Sequence, residues 1–401
     1  MRIRSAVGED ESLEHARLAA VRGRLLEWLT GSACPLWSVS GIDAASGGFV
    51  EALDAGGKPL ALPRRVRVQP RQAYSFARAA GLGWRGDASA IVRAGLEYLV
   101  TRYQRPDGLF RTLITADGGV LDDSAWLYDH AFVLLGYSAA AALLDERGAY
   151  EARALELRGR IERAWRREDG AFVSGEGAGE ARDANPHMHL LEASLAWAAI
   201  GQDPGWAERA EFIATLALER FTDPRTGALT ESFTPDWRPA PTDAGRRVEP
   251  GHQYEWAWLL LRCDRADRPE RRAGALHLID VAERAGVHGG LAVNALDSAL
   301  EVRDANARLW PQTERLKAAL LAESLTGLPM YATIAANAAS ELMKYLDTDV
   351  AGVWFDERLP DGQFRVTPAP ASTLYHLIGA VEALCHGRRV AGPVAGSTRA
   401  G

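Results

Sequence analysis

Long apolar runs are missing. No stretch of the 401 residues approaches the roughly 20 apolar residues needed to span a bilayer, so a membrane protein is not expected. Residues Met1-Arg2-Ile3-Arg4 carry no apolar signal-type run either. Cysteine is scarce: Cys34, Cys263 and Cys385 are far apart and odd in number, and provide neither a disulfide framework nor a zinc-ligand spacing. A reduced, cytoplasmic setting is the resulting expectation. Basic blocks are also lacking. The densest run, Arg64-Arg65-Val66-Arg67 with Arg71, is interleaved with apolar residues, which argues against a nucleic-acid surface. A Gly-x-Gly-x-x-Gly or P-loop is absent, which excludes the usual dinucleotide and kinase signatures. No Gly-x-Ser-x-Gly elbow offers a nucleophile. No cofactor and no metal are therefore expected.

What is present is ordinary for a soluble protein: 47% hydrophobic residues, 25% charged, net charge −7. The richness in Ala, Leu, Glu and Arg favours helix. A glycine-rich, alternating texture recurs six times, at Gly48, Gly108, Gly170, Gly227, Gly290 and Gly352, about 60 residues apart. Segments of helical periodicity lie between these loops, for example residues 125–144, 150–166 and 189–200. Two helices and their connections fill about 60 residues. The repeat can stack as an open solenoid or close as a ring. Residues 190–199 and 256–261 are apolar on nearly every side, which suits helices buried all round. The expected fold is all-α: an (α/α)6 barrel with short hairpins or extended loops on one face. A single catalytic domain over residues 1–386 and a disordered tail over residues 387–401 complete the expectation.

The stretch Pro250-Gly251-His252-Gln253-Tyr254-Glu255-Trp256 reads as a helix start with His252 and Glu255 on one face, three residues apart. Counting about 20 residues on from each glycine loop finds a polar residue in an apolar helix: Arg71, His130, His189, His252, Glu314 and His376. In a closed ring these six would converge on one cavity, and such a ring of ionisable groups suits chemistry better than stability. Ordinary helix capping would also place polar residues there. Tyr74, Phe76, Trp126, Tyr128, Trp256, Trp310, Trp354 and Tyr375 surround these positions, as core or as flat surfaces for sugar rings. His189 and Glu192 share a helical face but lack a completing metal ligand.

Six motifs in order carry a resemblance. They are Arg67-Val68-Gln69-Pro70-Arg71-Gln72, Tyr128-Asp129-His130-Ala131-Phe132, Asn185-Pro186-His187-Met188-His189-Leu190-Leu191-Glu192, Pro250-Gly251-His252-Gln253-Tyr254-Glu255-Trp256, Trp310-Pro311-Gln312-Thr313-Glu314 and Ser372-Thr373-Leu374-Tyr375-His376. Together they resemble the N-acylglucosamine 2-epimerase superfamily, in a style close to mannose isomerase. The resemblance implies an (α/α)6 barrel acting on unphosphorylated sugars through a cis-enediolate, without metal or redox cofactor. It implies His376 as the base at C2, His252 as the second acid/base and Arg71 as the group stabilising the enediolate. Asn185, His189 and Glu255 correspond to substrate-orienting and histidine-tuning residues, with Glu314, Trp310, Tyr128 and His130 as further candidate contacts. Cellobiose epimerases carry a tryptophan shortly before the last histidine. Here Ala369-Pro370-Ala371-Ser372-Thr373 fills that place, which favours a compact pocket for a monosaccharide.

The expected function is interconversion of D-mannose and D-fructose. The alternatives are a 2-epimerase acting on mannose/glucose, cellobiose or N-acylglucosamine, an inverting glycoside hydrolase using Glu192, Glu255 or Glu314, and a non-catalytic sugar-binding protein. A monomer or homodimer is expected.

Overall fold

A computed structural model describes residues 2–386, with side chains from residue 13 onward. The expected tail at residues 387–401 lies outside the described residues. In chain order the helices are α1 (Arg2–Trp28), α2 (Cys34–Val39), α3 (Val68–Gly81), α4 (Ala88–Tyr103), α5 (Leu127–Leu143), α6 (Arg147–Trp165) and α7 (Ala184–Ile200). They continue with α8 (Gly205–Leu216), α9 (Pro250–Arg262), α10 (Pro269–Gly286), α11 (Leu309–Thr326), α12 (Pro329–Tyr345) and α13 (Ser372–His386). The odd-numbered helices α3 to α13 form an inner ring: each packs on the next, and α13 returns to α3. Each of α4, α6, α8, α10 and α12 packs outside the inner helix that precedes it, and α1 fills the last outer place against α12 and α13. This is a closed (α/α)6 barrel.

The two rings differ because their sequences differ. Along α6 the buried residues are Tyr150, Ala154, Leu157, Ile161 and Trp165, a single stripe at helical spacing. Each large side chain in that stripe contributes about 1.5–3 kcal/mol by leaving water. The inner helices have no such stripe. From Leu127 to Ala141 every residue of α5 is buried except Tyr128. Inner helices lie between two neighbours, an outer helix and the barrel axis, so all sides are covered.

Short strands, two or three residues long, gather where the inner helices begin. One pair, Ala52–Leu53 with Ala369–Pro370, joins the first loop to the last and closes the ring on that face. The repeated glycines supply left-handed turns. Gly352 has φ of +102°, and a Cβ there would lie 2.8 Å from the Ser32 carbonyl oxygen. In the first repeat the positive φ falls on Gly47 rather than Gly48.

Candidate active site

A side chain in the first turn of five of the six inner helices, α3 to α11, locks the preceding glycine loop in place. The Gln69 amide accepts from the Phe49 N–H and donates to its carbonyl, at 2.8 and 2.9 Å. Gln253 does the same to Leu229, and Gln312 to Ala292. In two repeats the lock is histidine. His130 accepts from the Phe110 N–H at Nε2, 2.9 Å away, and its Nδ1 donates to the Trp126 carbonyl at 2.7 Å. His187 makes the matching pair with Phe172 and Asp183. Both ring nitrogens of each are used by backbone, and burial pushes both pKa values down to about 4. His130 is therefore a neutral structural group and not a contact for a ligand, which corrects the sequence expectation.

Two residues beyond each lock the helix has turned toward the axis. Those positions are Arg71, Phe132, His189, Glu255 and Glu314, and His376 takes the corresponding place on α13. They form one connected layer. The Arg71 guanidinium lies 3.9 Å from the centre of the Phe132 ring, and Phe132 meets His189 at 4.4 Å between ring centres. Ligand-type atoms of His189, Glu192 and Glu255 lie within 4.8 Å of one another, as do those of Glu255, Glu314 and His376. The expected convergence exists, but Phe132 and Glu255 hold the places assigned to His130 and His252.

His252 sits one residue before its lock, nearer the loops. Its Nδ1 lies 2.9 Å from Glu231 Oε1 and 3.8 Å from Glu249. Burial opposes charge on His252, yet these two carboxylates outweigh it and raise its pKa to about 10. Glu255 also raises it, the least of the three carboxylates, but is not the bonded partner of His252. Glu231 is, and it lies in the loop after Gly227, 21 residues away in sequence. The signal lay in the repeat: the second residue past each of the five locked loop residues is polar, namely Glu51, Thr112, Ser174, Glu231 and Asn294, and Asp356 holds the matching place in the sixth repeat.

His376 stands in the opposite state. Burial lowers its pKa to about 4 despite the 2.8 Å contact of Nδ1 with Glu314. An ionised carboxylate only accepts, so Nδ1 carries the hydrogen and Nε2 keeps its lone pair. Trp310 lies between the two histidines, its ring centre 5.2 Å from that of His252 and 5.4 Å from that of His376. His189 is held by Glu192, at 3.2 Å from Nδ1, and Tyr375 donates to the same carboxylate.

Glu255 is the odd carboxylate of the layer. Burial, then the charges of Glu314 and Glu192, push it well above the usual carboxylate range. Its Oε1 is buried without a protein partner, as are Asn185 Oδ1 and Arg71 Nε. The Arg71 guanidinium also donates to the Tyr128 hydroxyl at 2.6 Å. Asn185, Tyr128 and His252 line a cleft of about 630 Å³ that opens on the loop face. An unsatisfied acceptor on Asn185 in such a cleft suits a small polyhydroxy ligand. The two carboxylate–histidine groups named above are also where a cation would find ligands. In both, the histidine Nδ1 is already bonded to a carboxylate of its own group.

The sequence model of the N-acylglucosamine 2-epimerase (GlcNAc 2-epimerase) family matches residues 47–380. A protein of Rhizobium meliloti (strain 1021) named mannose-6-phosphate isomerase is 42% identical over 368 residues, covering 90% of this chain and 95% of that relative. The D-mannose isomerase of Thermobifida fusca is 31% identical over 315 residues, 71% of this chain and 74% of its own. Among solved structures, a D-mannose isomerase superposes with a TM-score of 0.82 at 22% identity, over 91% of this chain and 97% of that one. No described helix is long and apolar enough to cross a membrane. On its sequence match and its closed double ring of helices, the chain belongs to the N-acylglucosamine 2-epimerase family of sugar isomerases and epimerases.

Proposed function

We propose that this enzyme interconverts an unphosphorylated aldose and its ketose, D-mannose and D-fructose, by proton transfer through a cis-enediolate. The observation that carries the reading is the pair of histidines flanking Trp310, one set between two carboxylates and the other against a single carboxylate that Lys317 shares. Two groups whose surroundings push their pKa values apart are an acid and a base ready at one pH. His376, neutral with a free Nε2, takes the proton from C2, and the C–H electron pair moves toward C1 and its oxygen. His252, protonated, donates to sugar oxygen during ring opening and proton exchange. The negative charge on the enediolate oxygens is met by Arg71, which is anchored before the reaction begins. Return of the proton to C1 yields the ketose. Asn185, His189, Glu255, Glu314, Trp310 and Tyr128 hold the sugar or the histidines, and no metal or redox cofactor is needed.

The cleft mouth supports an unphosphorylated substrate. Asp122, Asp129, Asp183, Glu231 and Glu249 line it against Arg67 and Arg247. Arg67 is 3.0 Å from Asp129, and Arg247 is 2.7 Å from Glu249, so neither cation is free for a phosphate dianion. On this reading the substrate differs from the one that the name of its Rhizobium relative implies. A hydrolase is disfavoured because Glu255 lies within 4.8 Å of both Glu192 and Glu314. An inverting pair needs about 6.5–9.5 Å.

The test is product analysis with D-mannose, D-glucose and mannose 6-phosphate, combined with exchange of the C2 hydrogen in heavy water. Fructose from mannose, with none from mannose 6-phosphate, is expected. Glucose without fructose would make the enzyme a 2-epimerase. His376→Asn should lower turnover by about 10²–10⁴-fold and stop C2 exchange.

A further inference from the structure

Lys317 is a buried lysine one turn below Glu314 on α11, away from the loop-face cleft. Its side chain is 2% exposed and that of Glu314 is fully buried. Its Nζ donates to Glu314 Oε2 at 2.6 Å, while Glu314 Oε1 accepts from His376 Nδ1 at 2.8 Å. The ammonium also lies 3.9 Å from the centre of the Trp258 ring. The three groups form a continuous line from Nδ1 of His376, the ring nitrogen opposite the reacting Nε2, through the layer. Beyond it is a second cavity of about 240 Å³, at the other end of the inner helices, and Lys317 is on its wall.

An ammonium is expensive to bury, and nothing about packing α11 on α9 and α13 requires one. Its effect on Glu314 is electrostatic. Around this carboxylate stand Glu255 from α9, within 4.8 Å, His376 from α13 at 2.8 Å, and Lys317 and Thr313 of its own helix, and its charge also reaches Tyr375 of α13 and Tyr74 of α3. One of the nearest is a carboxyl group, so Glu314 needs a counter-charge to remain ionised. Burial raises its pKa, and the charge of Lys317 with the hydrogen bond of His376 more than reverses this.

We propose that Lys317 is a positioning residue that selects the tautomer of His376. With Glu314 ionised, Nδ1–H donates to it and Nε2 keeps the lone pair of a base. Without the ammonium, Glu314 takes a proton and donates to Nδ1, the imidazole hydrogen moves to Nε2, and the base becomes a hydrogen-bond donor. The proton count is balanced, since Glu314 gains one from solvent and the imidazole only exchanges its site. The inference rests on His376 being the base, yet its structural part can be read without any substrate.

The test uses the full-length enzyme. In Lys317→Met, kcat at pH 5 should fall about tenfold with little change in KM. The acid limb of the profile should rise by about one to three pH units as Glu314 loses its counter-charge. Lys317→Arg should restore the wild-type limb. Nitrogen-15 spectra without sugar, assigned by difference from His376→Asn, should give a lone pair on Nε2 in the wild type and a hydrogen there in Lys317→Met. An unchanged acid limb and tautomer in Lys317→Met would overturn the proposal. If that variant does not fold, the wild-type spectrum decides: loss of the Nε2 lone pair above about pH 5 would also overturn it. Should the enzyme prove not to isomerise mannose, the tautomer measurement still stands or falls alone.

Discussion

Glu231 and Glu249 surround Nδ1 of His252, whereas Nδ1 of His376 meets one carboxylate whose charge Lys317 already shares. That difference converts one residue type into two reagents. If His376 acts neutral and His252 protonated, kcat/KM has a plateau bounded near pH 4 and near pH 10, the values to which the two groups are shifted. Glu231→Gln removes the largest charge raising His252, so its pKa falls. The upper limb should then move down by about one to three pH units with the lower limb unmoved. A pH–rate profile checks this, and an unmoved upper limb would remove His252 as the acid. Both histidines are visible in the sequence as polar residues in apolar helices. Their partners are less so: Glu231 is remote in the chain, and only folding brings it to 2.9 Å.

At the scale of the helix, the informative unit is lock, one residue, then site residue. A lock binds its loop across 20 residues at Gln69 and His130, 15 at His187, 24 at Gln253 and 20 at Gln312. Uneven loops make counting from glycine unreliable by a few residues, and a helix turns about 100° per residue. That error is enough to exchange His130 for Phe132 and His252 for Glu255 at the axis. Removing a lock should disturb folding more than chemistry. His130→Ala leaves the Phe110 N–H without its partner, while the Trp126 carbonyl keeps the backbone N–H of residue 130, and should cost about 1–3 kcal/mol. Expected is a lower Tm with turnover largely kept at a permissive temperature. Loss of turnover by more than a hundredfold in well-folded protein would return His130 to the site.

For the whole molecule, closure matters most. α13 contacts both α3 and α11, and Gln72 donates to the Ala371 carbonyl just before it. Arg78 of α3 pairs with Glu382 of α13 further along. Ending the chain before Ser372 would expose the buried sides of α3, α11 and α1 together. We expect such a variant to show no cooperative transition in calorimetry. A sharp transition near that of the full chain would mean that the other helices hold together as an open stack.

Composition, the six glycine loops and the all-round apolar helices sufficed to imply twelve helices in a closed ring, because hydrophobic periodicity is local and repeats sixfold. The identities of His376, His252 and Arg71 as candidates were legible for the same reason. Which residues share a level around the axis was not, since that depends on loop lengths and helical phase accumulated along the chain. Nor was the protonation state of any histidine. It depends on burial and on carboxylates that only tertiary structure brings near, Glu231 beside one imidazole and the Glu314–Lys317 pair beside the other.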